Sequence, residues 1–121
     1  MAKRILIGDD SEIVRGFTRD FLERQLGLEV CGEAADGLET VEKAHRLNPD
    51  LIILDLAMPR MNGLLAARAL RARSVHAPII LFTLYADVIQ PREAVAAGIS
   101  AVVPKGNLQA LRVYIENLLT E

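Results

Sequence analysis

The sequence contains a single cysteine, Cys31, among its 121 residues. One thiol cannot form a disulfide within the chain, so the fold depends on its core, and this cysteine usage is typical of a reducing compartment. Cys31 lies in the apolar stretch LEVCGEA and has no neighbouring histidine that could activate its sulphur. We therefore expect Cys31 to fill space in the core.

Aromatic residues, long apolar runs and charge of one sign are also scarce. Aromatic residues make up 4% of the sequence, which predicts an aliphatic core, and the net charge of −2 gives no electrostatic reason to bind nucleic acid. No stretch approaches the roughly 18 apolar residues of a membrane span, and the apolar part of the N-terminus is too short for a signal peptide. We expect a cytoplasmic protein that contacts no membrane.

Two patterns alternate along the chain, which is predicted to form one domain over residues 1–121. Short apolar runs predict strands at 4–8, 28–31, 51–54, 79–83 and 100–103. Capping residues and helical spacing predict five helices, which begin after Ser11, at Asp36-Gly37, after Asn62-Gly63, near Gln90 or Pro91, and after Asn107. Strands that alternate with helices in this way predict a parallel, doubly wound α/β sheet with helices on both faces and right-handed crossovers.

Two helices have apolar residues at helical spacing. Val14, Phe17 and Phe21 fall on one face of the first helix, which is expected to run to about Leu26. The last helix has the clearest pattern, with a predicted buried stripe at Leu108, Leu111, Ile115 and Leu118.

Polar residues follow four of the predicted strands and should meet at one edge of the sheet. These residues are Asp9, Asp10, Asp55, Thr83 and Lys105. Three gathered carboxylates would repel one another by about 4 kcal/mol per close pair at an effective dielectric constant of 20, so the site needs a cation. Oxygen ligands without a nearby histidine or cysteine indicate Mg²⁺. The acidic pair also disfavours dinucleotide binding, which needs a glycine-rich loop after the first strand.

The same residues, in the same order, resemble the receiver domain of bacterial two-component response regulators. The resemblance covers nearly the whole chain and includes Asp9-Asp10, Asp55 followed by Met58-Pro59 and Gly63, then Thr83 and Lys105. The stretches AADG at 34–37 and NPDLIILD at 48–55 are most similar to receivers of the NarL or LuxR type. The resemblance implies a flavodoxin-like five-stranded sheet with strand order 2-1-3-4-5.

The resemblance also implies a role for each site residue. Asp55 would accept a phosphoryl group from a histidine kinase, a phosphotransfer protein or a small phosphodonor. Asp10 would bind Mg²⁺ directly and Asp9 mainly through water, with Asp55 and the backbone carbonyl of Ala57 completing the protein ligands. Lys105 would offset the phosphoryl charge, and the Thr83 hydroxyl would bond one of its oxygens. Such a domain is a signalling module that assists its own phosphorylation and dephosphorylation rather than an enzyme.

The switch implied by the resemblance involves the fourth helix, fifth strand and fifth helix, a face that would bind an output domain or protein partner. A second copy of the chain is a further candidate partner there. Two positions depart from the family pattern: Val102 stands where an aromatic ring is usual, and Pro104 precedes Lys105 instead of following it. Because valine cannot swing inward as a ring does, Tyr85 is the substitute lever that we consider.

Two other functions can be compared with this one. A Mg²⁺-dependent phosphohydrolase with an aspartyl phosphate typically has a second aspartate two residues after the first, and here that position is Ala57. A docking module with a receiver fold that works without phosphorylation usually lacks an acidic residue, the acceptor or the lysine. All of these residues are present.

Elsewhere, His45, His76 and the arginines at 60, 68, 71 and 73 are predicted to be solvated.

Overall fold

The computed structural model describes residues 2–120, which form one five-stranded parallel sheet. The strands are β1 Arg4–Gly8, β2 Glu29–Ala34, β3 Leu51–Leu54, β4 Ile79–Thr83 and β5 Ala101–Pro104. Their order across the sheet is β2-β1-β3-β4-β5, as predicted. The chain adds β2 on one side of β1 and then β3 on the other side. The carboxyl ends of β1 and β3 therefore flank the switch point where ligands bind in open α/β folds.

Five α-helices cover the two faces of the sheet. They are α1 Glu12–Asp20, α2 Gly37–Leu47, α3 Gly63–Ala72, α4 Pro91–Ala96 and α5 Leu108–Leu119. A π-helical turn, Phe21–Gln25, continues α1, and a short 3₁₀ turn, Ala86–Val88, precedes α4. Within residues 2–120, none of the helices is long and apolar enough to cross a membrane.

The sheet separates two aliphatic cores. On one face Ile52 and Leu54 pack with apolar residues of α2, α3 and α4. On the other face Ile53 packs with the end of α1, its π-helical turn and α5. Successive side chains of β3 therefore enter opposite cores, and all four of its residues are buried. A strand buried on both faces has to be apolar along its length, which explains the run LIIL.

Side-chain caps fix the start of four helices. Ser11, Asp36, Asn62 and Asn107 each accept a hydrogen bond from the backbone N–H three residues later. These bonds satisfy amides that have no partner inside the helix, and each such cap contributes about 1 kcal/mol. The predicted helix starts are confirmed at these positions.

The two edge strands differ from the predicted ranges. The second strand is Glu29–Ala34 instead of 28–31, because its half-buried pattern includes Gly32 and Glu33, which break an apolar run. Val30 and Gly32 of β2 pair with Ile5 and Leu6 of β1. Cys31, which lies between them, has no counterpart on β1 and forms a bulge. The fifth strand extends to Pro104, which pairs with Thr83.

Two predicted buried faces are partly wrong. Phe17 is 73% exposed, because Thr18 occupies the sheet-facing side of α1 and satisfies its hydroxyl by donating to the carbonyl oxygen of Val14. The π-helical turn then brings both Phe21 and Leu22 into the core. In α5, Leu108 is 45% exposed at the first turn, whereas Leu111 and Ile115 form the buried stripe.

Arg71 is not part of a solvated face. Its guanidinium donates to the carbonyl oxygens of Val75 at 2.8 Å, Ala77 at 2.9 Å and Gly98 at 2.6 Å. These bonds tie the segment after α3 to the turn between α4 and β5. Gly98 has a φ of +79°, and a Cβ there would lie 2.5 Å from Arg71 Nε, so both backbone conformation and space favour glycine.

Candidate functional site

Asp55 lies where β3 ends, at the carboxyl edge of the sheet. Its backbone N–H donates to the carbonyl oxygen of Gly8 at 2.8 Å, which fixes its position beside β1. Its side chain leaves the buried strand at the first position where a carboxylate can meet polar partners, and the residue remains only 6% exposed. The carbonyl of Asp55 packs against Gly63, where a Cβ would lie 2.3 Å from the carbonyl oxygen.

Asp9 and Asp10 follow β1 at the same edge. The Asp9 N–H donates to the carbonyl oxygen of Ala34, and the Asp9 Oδ1 atom accepts from the N–H of Ser11 at 2.9 Å. Asp9 is buried, whereas Asp10 is exposed. The turn therefore presents one anchored carboxylate and one that faces solvent.

Lys105 reaches the carboxylates from the turn after β5. Its N–H donates to the carbonyl oxygen of Thr83, and its Nζ atom lies 2.7 Å from Asp9 Oδ2 and 3.0 Å from Asp55 Oδ2. Burial alone would lower the pKa of Lys105, but hydrogen bonds and charges from Asp9 and Asp55 outweigh it, and its pKa is raised above its ordinary value. The amine is therefore a cation at neutral pH.

The remaining oxygen of Asp55 has no hydrogen-bond partner among residues 2–120. Asp55 Oδ1 is buried and none of these residues donates to it, although a buried carboxylate oxygen normally accepts a hydrogen bond. One carboxylate oxygen from each of Asp9, Asp10 and Asp55 lies within 4.8 Å of the others. Hard oxygen donors at this spacing, one of them unsatisfied, fit a divalent cation such as Mg²⁺ better than a softer metal.

Thr83 and Ala57 complete the set of predicted site residues. Thr83 is wholly buried at the end of β4, and its hydroxyl oxygen accepts from the N–H of Tyr85 at 3.2 Å, which leaves the hydroxyl hydrogen available to donate. Ala57 lies two residues past Asp55, with an exposed side chain. The structure thus gathers Asp9, Asp10, Asp55 and Lys105 directly and attaches Thr83 through the backbone of Lys105.

An arginine beside the acidic pair was not singled out by sequence reasoning. Arg15 Nη1 donates to the carbonyl oxygen of Asp9 at 2.7 Å, and its Nε donates to Glu33 Oε1 at 3.0 Å. No short motif joins these residues, because Arg15 lies on α1 and Glu33 on β2. The only sequence signal is that Arg15 falls one helical turn after the Ser11 cap.

Exposed apolar side chains lie next to the site. A groove of about 640 Å³ is lined by Phe17 and Phe21 from the first helix, by Leu84 and Leu108, and by Lys105. Phe17, Leu84 and Leu108 are exposed. Lys105 lines this groove and also donates to Asp55, so the groove lies next to the carboxylate cluster.

Residues 5–116 match the family model of the response regulator receiver domain. Among curated proteins, the chain is similar to the chemotaxis protein CheY of Thermotoga maritima, with 36% identity over 105 residues that cover 87% of both chains. Other relatives are named protein-glutamate methylesterase/protein-glutamine glutaminase. The chain spans only about a third of their length, for example 28% of the protein from a Nocardioides species and 33% of one from Geobacter sulfurreducens.

Solved structures agree with this assignment. A LuxR-family two-component response regulator from an Aurantimonas species superposes with a TM-score of 0.88 and 33% identity over 98% of this chain and 86% of that one. The response regulator TrrA of Thermotoga maritima, solved in complex with Mg²⁺–BeF, gives a TM-score of 0.86 and 33% identity over 97% and 99% of the two chains. With the family model covering most of the sequence, the chain belongs to the response regulator receiver domains of two-component signal transduction.

Proposed function

We propose that Asp55 is the residue on which this receiver domain accepts a phosphoryl group. The observation that carries the proposal is the unequal state of the two carboxylate oxygens. Oδ2 is held by Lys105 at 3.0 Å, whereas Oδ1 is buried beside two other carboxylates and accepts no hydrogen bond from the residues that the structure describes. An oxygen held at the site but not engaged in a hydrogen bond is suited to act as a nucleophile.

We further propose that Asp10, Asp9, Asp55 and the backbone carbonyl of Ala57 hold Mg²⁺, with Asp9 acting mainly through water. The cluster of three aspartates supports this assignment, as does the complex of the related TrrA with Mg²⁺–BeF. When bound, the ion would offset negative charge on the transferring phosphoryl oxygens.

In the proposed transfer, an Asp55 oxygen attacks the phosphorus atom of a phosphohistidine on a histidine kinase or phosphotransfer protein. A new O–P bond forms while the P–N bond breaks, and the departing imidazole nitrogen takes up a proton. Lys105, which is already cationic between Asp9 and Asp55, offsets charge on the phosphoryl group. The Thr83 hydroxyl donates its free hydrogen to a phosphoryl oxygen.

The phosphodonor protein is proposed to cover the groove beside Lys105. Phe17, Leu84 and Leu108 give this surface exposed apolar area, and Lys105 lies both in the groove and against Asp55. A protein that delivers a phosphoryl group to Asp55 has to lie over this opening, and burial of the three side chains would stabilise its docking. We place this exchange in the cytoplasm.

The response is proposed to pass through Thr83 to the face formed by α4, β5 and α5. Movement of Thr83 toward a phosphoryl group would pull on Tyr85, whose N–H it binds. Val102 is half-buried against the core of that face and has no ring to swing, which supports Tyr85 as the moving residue. An output domain or protein partner would bind there, over exposed residues such as Val95 and Tyr114, with a second copy as the alternative occupant.

We infer that the chain is a signalling domain without turnover of an external substrate. The enzyme names among its relatives belong to proteins of which it matches about a third. The family assignment does not favour the phosphohydrolase or the phosphorylation-independent docking module. We further propose that residues 1–121 form a single receiver domain.

Intact mass measurement tests the proposed function. The native chain and Asp55→Asn are incubated with acetyl phosphate, with and without Mg²⁺. We expect the native chain to gain the mass of one phosphoryl group only with Mg²⁺, and Asp55→Asn to gain none. A gain that persists in the variant or ignores Mg²⁺ would contradict the proposal, and steady hydrolysis of an added phosphoester would favour the phosphohydrolase.

A further inference from the structure

Arg15 connects the acidic turn after β1 to the neighbouring edge strand. Its Nη1 atom donates to the carbonyl oxygen of Asp9 at 2.7 Å, and its Nε atom lies 3.0 Å from Glu33 Oε1. The side chains of Arg15 and Glu33 are 15% and 24% exposed, so this ion pair is shielded more than those on the surface. A single guanidinium can make both bonds at once because its donors form a rigid fork.

Glu33 is itself held from two further directions. Its second carboxylate oxygen, Oε2, lies 2.5 Å from Arg19 Nη2, one helical turn further along α1. Its backbone carbonyl accepts from Lys43 Nζ, on α2, at 2.5 Å. Glu33 is therefore a fixed anchor, and by accepting from Arg15 Nε it holds the Arg15 guanidinium against the Asp9 carbonyl.

The Asp9 carbonyl belongs to the peptide that joins Asp9 to Asp10. Fixing this carbonyl restricts the orientation of the peptide plane, and hence the direction in which the exposed Asp10 side chain leaves the backbone. The other three anchors of the turn act on Asp9 alone. Its N–H donates to Ala34, its Oδ1 accepts from Ser11, and its Oδ2 is held by Lys105. Among the contacts made by residues 2–120, that of Arg15 is the one that reaches the Asp9–Asp10 peptide bond.

We propose that Arg15 is a positioning residue that orients Asp9 and Asp10 for Mg²⁺. This inference rests on the proposed function, in which these carboxylates hold the ion. Arg15 acts through geometry, because its charge has the opposite effect: a guanidinium near a cation site repels the ion. The two effects therefore predict opposite changes in Mg²⁺ affinity when Arg15 is replaced.

Mg²⁺ titration of ¹⁵N-labelled protein at constant ionic strength, followed by the backbone amide shifts of residues 9–11 and 55–57, measures this affinity. We expect Arg15→Gln to weaken Mg²⁺ binding about tenfold, as loss of an outer-shell partner does at metal sites. Arg15→Lys keeps the charge, but its single amine cannot span the Asp9 carbonyl and Glu33. It should also weaken binding, by a smaller factor.

Arg19→Gln is the matched control. Arg19 bonds the same Glu33 carboxylate and carries the same charge, but it makes no hydrogen bond to Asp9 in the part of the chain that the structure describes. Lys43 still holds the Glu33 backbone when Arg19 is replaced, so Mg²⁺ affinity should stay unchanged or rise slightly. Equal weakening in Arg19→Gln and Arg15→Gln would overturn the proposal, since general loosening of α1 would then explain both. Unchanged binding in Arg15→Lys together with tighter binding in Arg15→Gln would overturn it in favour of charge alone.

The experiment separates this inference from the proposed function. If the native chain shows no Mg²⁺-dependent shifts at residues 9–11 and 55–57, the proposed metal site fails. If the native chain binds Mg²⁺ and Arg15→Gln binds it equally well, the metal site stands and the role of Arg15 fails. Thermal unfolding of each variant without Mg²⁺ confirms that the titrations compare folded proteins.

Discussion

The residue that the site depends on electrostatically is Lys105. Its ammonium is shared between Asp9 and Asp55, and it lies in a mostly buried position. Two close carboxylates without this cation would each lose a charge-assisted hydrogen bond and repel the other. The same cation counters two of the three charges that would attract a divalent ion. Lys105 therefore stabilises the domain without Mg²⁺ and offsets part of the field that binds Mg²⁺.

Replacement of Lys105 by methionine tests this dual role. Methionine keeps most of the apolar stem but removes the charge, so we expect a loss of about 2 kcal/mol in the free energy of unfolding without Mg²⁺. Saturating Mg²⁺ should recover more stability in Lys105→Met than in the native chain, because the ion replaces the missing positive charge. Urea unfolding at several Mg²⁺ concentrations measures both quantities. If Lys105→Met lost the same free energy of unfolding at all Mg²⁺ concentrations, the dual role of Lys105 would be contradicted.

At the residue scale, the sequence predicted the carboxylates and the ammonium because parallel strands bring their carboxyl ends to one edge. Asp9, Asp10, Asp55 and Lys105 needed only the strand pattern to be placed together. Arg15 could not be predicted in this way, because its role depends on the rotation of α1 and the register of β2. That rotation is also why Phe17 is exposed, although its spacing from Val14 predicted a common face.

At the scale of elements, the start of α3 depends on a glycine that contacts the site. A Cβ on Gly63 would lie 2.3 Å from the carbonyl oxygen of Asp55, which is backbone and cannot move independently. We expect Gly63→Ala to lower the free energy of unfolding by about 2 kcal/mol, as overpacking typically does. The shift of the turn should also slow phosphorylation by acetyl phosphate.

Gly16 provides the matched control for this change. It lies within α1, and a Cβ there would have no atom within 4 Å. Gly16→Ala should raise the free energy of unfolding by about 0.5 to 1 kcal/mol, because alanine favours helix more than glycine does. Chemical denaturation of the two variants should therefore shift the midpoint in opposite directions. A similar stability for both would show that the Asp55 turn adapts to a side chain.

The start of α2 carries a pH-dependent contribution to stability. Asp36 caps the helix, and the Glu39 carboxylate accepts the N–H of Ala35 at 2.8 Å and pairs with Lys43. The hydrogen bond from Ala35, followed by that from Lys43, lowers the pKa of Glu39 in the folded state. A lowered folded pKa means that this stabilisation is present above the unfolded value and is lost as pH falls through the folded one.

Glu39→Gln isolates this contribution. A glutamine oxygen can still accept from Ala35 but carries no charge and does not titrate. Since the Glu39 side chain is 40% exposed, solvent screening limits the difference in the free energy of unfolding to about 0.5 kcal/mol. We expect the free energy of unfolding of the native chain to exceed that of Glu39→Gln by this amount at pH 6, and the difference to shrink as the pH is lowered to 3. A constant difference across that range would exclude the carboxylate charge as the cause.

The helices and strands were predicted where a cap or an unbroken apolar run defined them. The caps Ser11, Asp36, Asn62 and Asn107 located four helix starts. Edge strand β2 was misplaced because half-buried strands tolerate polar residues and glycine, so their pattern is weak. The π-helical turn after α1 has no sequence signal that we can identify, since it follows from packing of Phe21 and Leu22 against the sheet.

At the scale of the whole molecule, Arg71 joins two segments that are distant in sequence. Its three bonds link the segment after α3 to Gly98, which lies in the turn between α4 and β5. We expect Arg71→Met to lower the free energy of unfolding by about 2 kcal/mol, because three carbonyl oxygens lose a charged donor. Hydrogen exchange should rise at Gly98, Ile99 and Ser100.

Arg73 is the control, since it lies two residues further along and is exposed. Arg73→Met should change stability by less than about 0.5 kcal/mol, as is usual for exposed positions. Equal effects of the two substitutions in urea unfolding would mean that the bonds of Arg71 contribute no net stability.

The bulge at Cys31 and the proline that ends β5 have a shared consequence for self-association. β2 and β5 are the two open edges of the sheet, where unpaired backbone groups could template another chain. Cys31 interrupts the register of β2. On β5, the Lys105 N–H points toward β4, so the neighbouring Pro104 turns its nitrogen, which carries no hydrogen, to the open edge. Both edges are thus poor templates for strand addition, which opposes edge-to-edge aggregation of the folded domain.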